Sequence, residues 1–313
     1  MRAPEYPVCC HRGVTDEAGP DQLERVAIDV AQIAAEFVRR RRPELFGPRP
    51  GHDPHAVDGA VRADAAAAAA VSTKSTPTDP VTLADTETEN LIRAELHARR
   101  PGDEILGEES GGSVDVPSGV RWVVDPIDGT VNFMYGIPAY AVSVAAQIDG
   151  RSVAGAVVDV ARGVTYSAAV GGGARVDAGE GPIELSCNPI RRLDLALVAT
   201  GFSYDARRRV TQGAIVADML PQVRDLRRVG AAALDLCMVA SGAVDAHFEH
   251  GLSPWDWAAG ALIAAEAGAV VHTPPPESRS SDGDVTIAVA PGIAESFVTL
   301  LDDLGARAPM PSH

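Results

Sequence analysis

Two aspartates three positions apart, Asp125 and Asp128, leave an apolar run and are followed by Gly129-Thr130. The run, Trp122 to Val124, reads as the end of a buried strand. The strand is expected to stop at Asp125-Pro126, because proline has no N–H to give to a ladder. Carboxylates leaving a rigid strand suit a hard cation, and backbone amides beside a glycine can approach a phosphate closely. Taken alone, Asp-Pro-Ile-Asp-Gly is also plain turn chemistry with solvated aspartates.

Two further acidic stretches flank this one. Leu106-Gly-Glu-Glu-Ser110 lies shortly before it, and Ser253-Pro-Trp-Asp-Trp-Ala-Ala-Gly260 far after it. In the second, Ser253 reads as a helix N-cap and Pro254 as the first helical residue. Asp256 then falls three residues after the cap, a place that suits a ligand or a structural cap. Glu108-Glu109 also reads as a solvated loop pair. The three stretches, in this order, resemble the inositol monophosphatase family of metal-dependent phosphatases, most closely its bacterial SuhB-type inositol-1-monophosphatases. The resemblance runs from about Leu23 to Leu304. Val131 and Trp257 depart from the commonest family text, and neither position carries catalysis.

That resemblance implies a chemistry. Phosphate monoester hydrolysis needs a positioned water and neutralised oxygens. Two divalent ions can provide both, one activating the water and the other stabilising the leaving oxygen. The family pattern implies Glu108, Asp125, Asp128 and Asp256 as metal ligands, with the backbone carbonyl of Ile127. Asp125 would bridge two ions, Glu108 and Ile127 would complete the water-activating site, and Asp128 and Asp256 would hold the second ion. Oxygen ligands alone suit Mg²⁺ rather than zinc. The resemblance further implies that Asp85 orients the Thr130 hydroxyl, which with Glu108 positions the water. The amides of Gly129 and Thr130 would bind phosphate oxygens. Ala232 would contact substrate through its backbone, and Glu249 would accept hydrogen bonds from inositol hydroxyls. Glu109 is expected to support this set from behind. Asp85 reads equally as the N-cap of a helix from Thr86. His250 takes no implied role and reads as an exposed histidine.

The implied substrate is myo-inositol 1-phosphate. Fructose 1,6-bisphosphate, histidinol phosphate and 3′-phosphoadenosine phosphates are rivals within the class. The resemblance also implies lithium sensitivity and a homodimer. SuhB-type members are associated with RNA polymerase or ribosome function, so a regulatory binding protein is the rival from another class.

The elements that must position these residues follow from periodicity. Apolar residues recur at helical spacing from Leu23 to Val38, with Asp21 as the expected N-cap and Arg39 to Arg42 as a solvated basic end. Residues 47–63 read as a loop, and the alanine run Ala65 to Ala70 as either helix or strand. Lys74 to Asp85 resembles the family's mobile active-site loop and the strand after it. A helix is expected over Thr86 to Arg100, then strands over 139–148, 153–160 and 164–169. Gly171 to Gly173 reads as a turn, with a phosphate loop as the weaker alternative. From about Cys187 strands and helices alternate: a strand over 195–200, a helix over 208–220, a strand over 227–230 and a helix over 231–240. A strand over 243–248, a helix over 255–267, strands over 269–272 and 286–290 and a closing helix over 293–304 follow. The first part is thus α+β (residues 21–185, carrying the metal motifs) and the second α/β (186–313, completing the site), after a disordered 1–20. The family resemblance implies a five-layer αβαβα sandwich.

Composition limits the function. The chain has 313 residues, 46% of them hydrophobic, and a formal net charge of -16. It can bury a large core, and that charge opposes contact with nucleic acid or anionic membranes. Bound cations would reverse the local field for an anionic substrate. Cys9, Cys10, Cys187 and Cys237 lack metal-finger or redox spacing and read as reduced thiols of a cytoplasmic protein. No signal peptide or membrane-spanning run is expected.

Overall fold

The computed structural model describes residues 19–47, 71–73 and 80–311. The expectations for residues 1–18, for the loop after residue 47, for the alanine run and for residues 74–79 of the Lys74–Asp85 stretch therefore lie outside the described residues, as do Cys9 and Cys10.

Helix α1 (Pro20–Phe46) starts one residue before the expected cap. Gly19 is the N-cap and Pro20 takes the first helical position, where its missing N–H costs nothing; Asp21 lies in the first turn. The helix runs on past the arginines to Phe46, so these are not its end; Arg39 and Arg40 are exposed as expected, and Arg42 is not. Arg42 is buried and donates to the carbonyls of Phe133 (2.9 Å) and Gly47 (3.2 Å). Arg39 donates from Nε to the Val160 carbonyl.

A short hairpin, β1 (Val71–Thr73) and β2 (Pro80–Thr82), leads into α2 (Leu83–Arg99). Seven strands then form one sheet in chain order: β3 (Glu104–Gly107), β4 (Val120–Asp128), β5 (Ala141–Ile148), β6 (Arg151–Asp159), β7 (Val164–Ala169), β8 (Ala174–Asp177) and β9 (Ile183–Glu184). Only β3 and β4 are parallel; the other neighbours are antiparallel. The short helix α3 (Thr130–Tyr135) follows β4 directly. The short strands β8 and β9, at one end of the sheet, carry too few apolar residues to announce themselves in the sequence.

The rest of the chain builds a five-stranded sheet from β10 (Leu197–Thr200), β11 (Asp225–Arg227), β12 (Ala246–His250), β13 (Val270–His272) and β14 (Val285–Val289), in the order β11-β10-β12-β14-β13. Its helices are α4 (Ala206–Met219), α5 (Ala232–Ala240), α6 (Pro254–Glu266) and α7 (Ala294–Asp303). Parallel pairing of β10 with β11 and β12 and antiparallel pairing around β14 make this sheet mixed.

The layers follow from the alternation of side chains. On β4, Trp122 and Val124 join the core beneath α1 and α2, while Val123 joins the core around α5 and α6. The order is α1 and α2, the seven-stranded sheet, α5 and α6, the five-stranded sheet, then α4 and α7, the expected five-layer sandwich. With aromatics at only 4%, small residues let layers approach closely. At Gly155 on β6 an added Cβ would lie 3.1 Å from the Cα and Cβ of Ala259 on α6.

Candidate active site

Period two decides where the two central aspartates point. In an unbroken strand Asp125 would share the face of Val123, and Asp128 would point to the opposite side. The β4–β5 register shifts between Asp125, opposite Ser143, and Asp128, opposite Ala141. The strand does not stop at Pro126 as expected; the ladder skips Pro126 and Ile127 and resumes at Asp128. This irregularity turns both carboxylates to one side. Ligand oxygens of Asp125, Asp128 and Asp256 lie within 4.8 Å of one another.

Each carboxylate is held by backbone amides. Asp125 accepts from the Ile127 N–H at 3.0 Å. Asp128 meets the start of α5, accepting from Ala232 N–H at 3.2 Å and Ala233 N–H at 2.7 Å. The Ala232 amide is therefore engaged by Asp128. Asp256 is the third residue of α6, after Ser253 as N-cap and Pro254 at the first position. It accepts from the Ser253 N–H at 2.6 Å and also reaches the cluster, so it is cap and cluster member at once. Asp85 has the same double character. It is the third residue of α2, in a capping box with Thr82, where Oδ2 accepts the Thr82 N–H at 2.8 Å. Its Oδ1 accepts from the Thr130 hydroxyl at 3.1 Å, a distance that hydroxyl also keeps from the Ile127 carbonyl.

Burial and like charge set the electrostatics. Desolvation, then Glu108 and its neighbours Asp128 and Asp256, raise the pKa of Asp125 well above the usual carboxylate value. Asp256 is raised well above it for the same reasons, opposed by its bond from Ser253. Desolvation pushes Asp128 up to about 7 against the pull of the Ala233 and Ala232 amides. Three ionised carboxylates this close, without a cation, repel one another.

These residues line a cavity of about 540 Å³. Glu108, Asp125, Ile127, Asp128, Gly129, Thr130, Ala232, Glu249 and Asp256 all border it; Asp85 lies behind, fully buried, reaching it through Thr130. Gly129 has φ +91°, and a Cβ there would sit about 3 Å from the carbonyls of Ala139 and Gly230, so the turn needs glycine. Glu249 is on β12, with its carboxylate against the backbone of Gly201, where an added Cβ would overlap it.

His250 is not exposed. It is buried, and its Nε2 lies 2.8 Å from the Ala306 carbonyl. The Gly171–Gly173 turn holds a carboxylate of the chain itself, since Gly171 and Gly173 donate to Glu266.

Two residues of the site escaped the sequence reading. Glu89 on α2 is fully buried and accepts from the amides of Glu109 (2.7 Å) and Ser110 (2.9 Å) and from Arg93 (2.8 Å). It fixes the loop that presents Glu108. The available signal was spacing: Glu89 shares the stripe of Ile92 and Leu96 on the buried face of α2. Arg228, just past β11, lines the cavity beside the carboxylates.

The match to a family model described as the inositol monophosphatase family covers residues 20–304, and the chain belongs to that family. It is a phosphatase. The inositol-1-monophosphatase of Mycobacterium leprae is 52% identical over 295 residues, 93% of this chain and 97% of that protein. The structure of Mycobacterium tuberculosis SuhB matches with a TM-score of 0.75 at 46% identity, covering 93% of this chain and 99% of that one. The Nus factor SuhB of Escherichia coli is 40% identical over 194 residues, 62% of this chain and 71% of that protein.

Proposed function

We propose that this phosphatase hydrolyses the phosphate monoester of a small polyol, with myo-inositol 1-phosphate as substrate and Mg²⁺ as cofactor. The observation that carries the reading is the convergence of Asp125, Asp128 and Asp256 on one cavity that Glu249 also borders. The donor set fits the ion. It is made of carboxylates, with the Ile127 carbonyl and Glu108 beside them, and contains no sulfur or nitrogen. Buried carboxylates whose burial and mutual repulsion favour protonation gain most from a compact divalent charge. When bound, such ions offset the charge of the phosphate and make water more acidic.

The chain's own residues do the positioning. The Thr130 hydroxyl has one hydrogen; donated to Asp85, it leaves the oxygen lone pairs to accept from a water. Glu108 provides a second acceptor at the cavity wall, so a water between the two is oriented for attack. The amides of Gly129 and Thr130 would meet phosphate oxygens. Ala232 acts by fixing Asp128, and Glu249 offers its carboxylate to ring hydroxyls. The 52% identity to an inositol-1-monophosphatase supports the substrate. Family resemblance supports a homodimer, and the free buried thiols of Cys187 and Cys237 are in keeping with a cytoplasmic setting. Among the described residues no helix is long and apolar enough to cross a membrane.

The test is a panel of phosphate monoesters assayed with purified protein, with Mg²⁺ and with excess chelator. Inositol 1-phosphate should be hydrolysed fastest and only with Mg²⁺. Full turnover in chelator would overturn the metal reading, and preference for fructose 1,6-bisphosphate or a 3′-phosphoadenosine phosphate would overturn the substrate. A regulatory binding role is the second reading, favoured by the similarity to a Nus factor. The assembled carboxylate cluster supports catalysis as the primary role.

A further inference from the structure

Next to the carboxylate cluster, and not part of it, lies a second polar group whose chemistry differs. His247 and Glu249 are two residues apart on β12 and so share a face; Phe248 between them points the other way, against Phe297 of α7. Asp235, on α5, reaches the same place. Ligand atoms of Asp235, His247 and Glu249 lie within 4.8 Å of one another. Asp235 and His247 are 1% and 0% exposed. Both ring nitrogens of His247 and Oδ1 of Asp235 have no hydrogen-bond partner, and Nδ1 is 3.8 Å from Oδ2 of Asp235. The hydroxyl of Thr286, opposite Glu249 across β12–β14, is also buried without a partner. Buried polar atoms are almost always satisfied, so this concentration of unmet groups calls for a ligand. Glu249 borders the active-site cavity, which gives an ion its way in.

We propose that Asp235, His247 and Glu249 form a separate cation site that prefers Zn²⁺ to Mg²⁺. An imidazole nitrogen with two carboxylates is a donor set for a borderline transition ion, whereas Mg²⁺ takes oxygen. Tetrahedral Zn²⁺ ligands stand about 3.3 Å apart, so side-chain shifts of about 1 Å close the site. Burial holds His247 neutral, with its pKa pushed down to about 3, which leaves a ring lone pair free to bind. Arg228 faces Asp235 and Glu249 and opposes the ion, but forms no ion pair with either among the described residues. An ion here would take Glu249 away from the cavity, so Zn²⁺ inhibits.

The experiment is calorimetric titration of Mg²⁺-saturated protein with Zn²⁺, repeated with Co²⁺ to read the visible band of a nitrogen-bound ion. One further equivalent should bind, and hydrolysis should fall with the same concentration dependence. His247→Phe should weaken that equivalent by at least about 100-fold and remove the inhibition, while Mg²⁺-dependent turnover stays. Asp235→Asn, closer in shape, should weaken it too and covers the case in which the phenylalanine variant fails to fold. The equivalent should persist in Asp125→Asn, so failure of the Mg²⁺ site and of this one are told apart. No further equivalent, or one unchanged by both His247→Phe and Asp235→Asn, overturns the proposal.

Discussion

Mg²⁺ should stabilise this protein strongly at neutral pH and much less at pH 5. In the metal-free fold Asp128 has its pKa pushed up from 3.8 to about 7, chiefly by burial. A raised carboxyl stabilises the fold at acid pH, and that stabilisation is lost as pH rises through about 7. Mg²⁺ needs the ionised form, so binding below pH 7 must expel the proton. Two pH units below the pKa, one expelled proton weakens binding about 100-fold, or about 2.7 kcal/mol. For 313 residues the unfolding entropy is roughly 0.66 kcal/mol per kelvin. The Mg²⁺-induced rise in Tm, at a fixed and well-saturating concentration, should therefore be about 4 °C smaller at pH 5 than at pH 7.5. Asp125 and Asp256, raised in the same direction, enlarge the difference. His247 and His250, pushed down to about 3 and about 4, act with the opposite sign, stabilising the fold as pH rises. They do so with and without Mg²⁺, so they cancel in the shift. Thermal unfolding in Mg²⁺ and in chelator at the two pH values is the assay. Equal shifts at both, or none at either, would refute the reasoning.

Asp125→Asn should lower Mg²⁺-dependent turnover by about 1,000-fold or more, as loss of several kcal/mol of charge stabilisation requires. Circular dichroism should show an intact fold. Glu249→Gln should cut kcat/KM for inositol 1-phosphate about ten- to a hundredfold, the value of one charge-assisted hydrogen bond, and leave a small aryl phosphate nearly unchanged. An equal fall on both substrates would assign Glu249 to the metal site or the fold instead. Glu89→Ala leaves the amides of Glu109 and Ser110 and the Arg93 guanidinium without their acceptor. It should cost about 3–5 kcal/mol, read as a Tm drop, and slow turnover by loosening Glu108; an unchanged Tm would deny it the anchoring role.

How much of this was legible in the sequence depended on whether a signal was local. The helix start at Ser253-Pro254 was readable because the cap, the proline and Asp256 stand within four residues. Asp85 was placed at the right helix start but in the wrong position: Thr82 is the N-cap of a helix from Leu83, with Asp85 its third residue, and the link to Thr130, 45 residues away, came only from the family resemblance. The register shift in β4 was not legible. Pro126 signalled a break, yet only the partner strand shows that pairing resumes at Asp128. His250 and Arg42 were misread for one reason. Their type favours solvent, and the carbonyls that receive them, those of Ala306 and Phe133, come from distant parts of the chain. Glu89 was missed because a charged residue on an apolar stripe looks like a lapse in the pattern until its amide partners are known.

The strand order β11-β10-β12-β14-β13 has a consequence for how the chain is made. β14, the last of the described strands to leave the ribosome, goes into the interior of its sheet. Among the described residues β13 pairs with β14 alone, and one edge of β12 waits for β14. Until Val285–Val289 emerges, the nascent protein carries an unpaired strand and an open sheet edge, the features that invite aggregation. Asp256 is already synthesised by then, so chain termination between the two would release a product that holds every site carboxylate and still cannot close the sheet behind them.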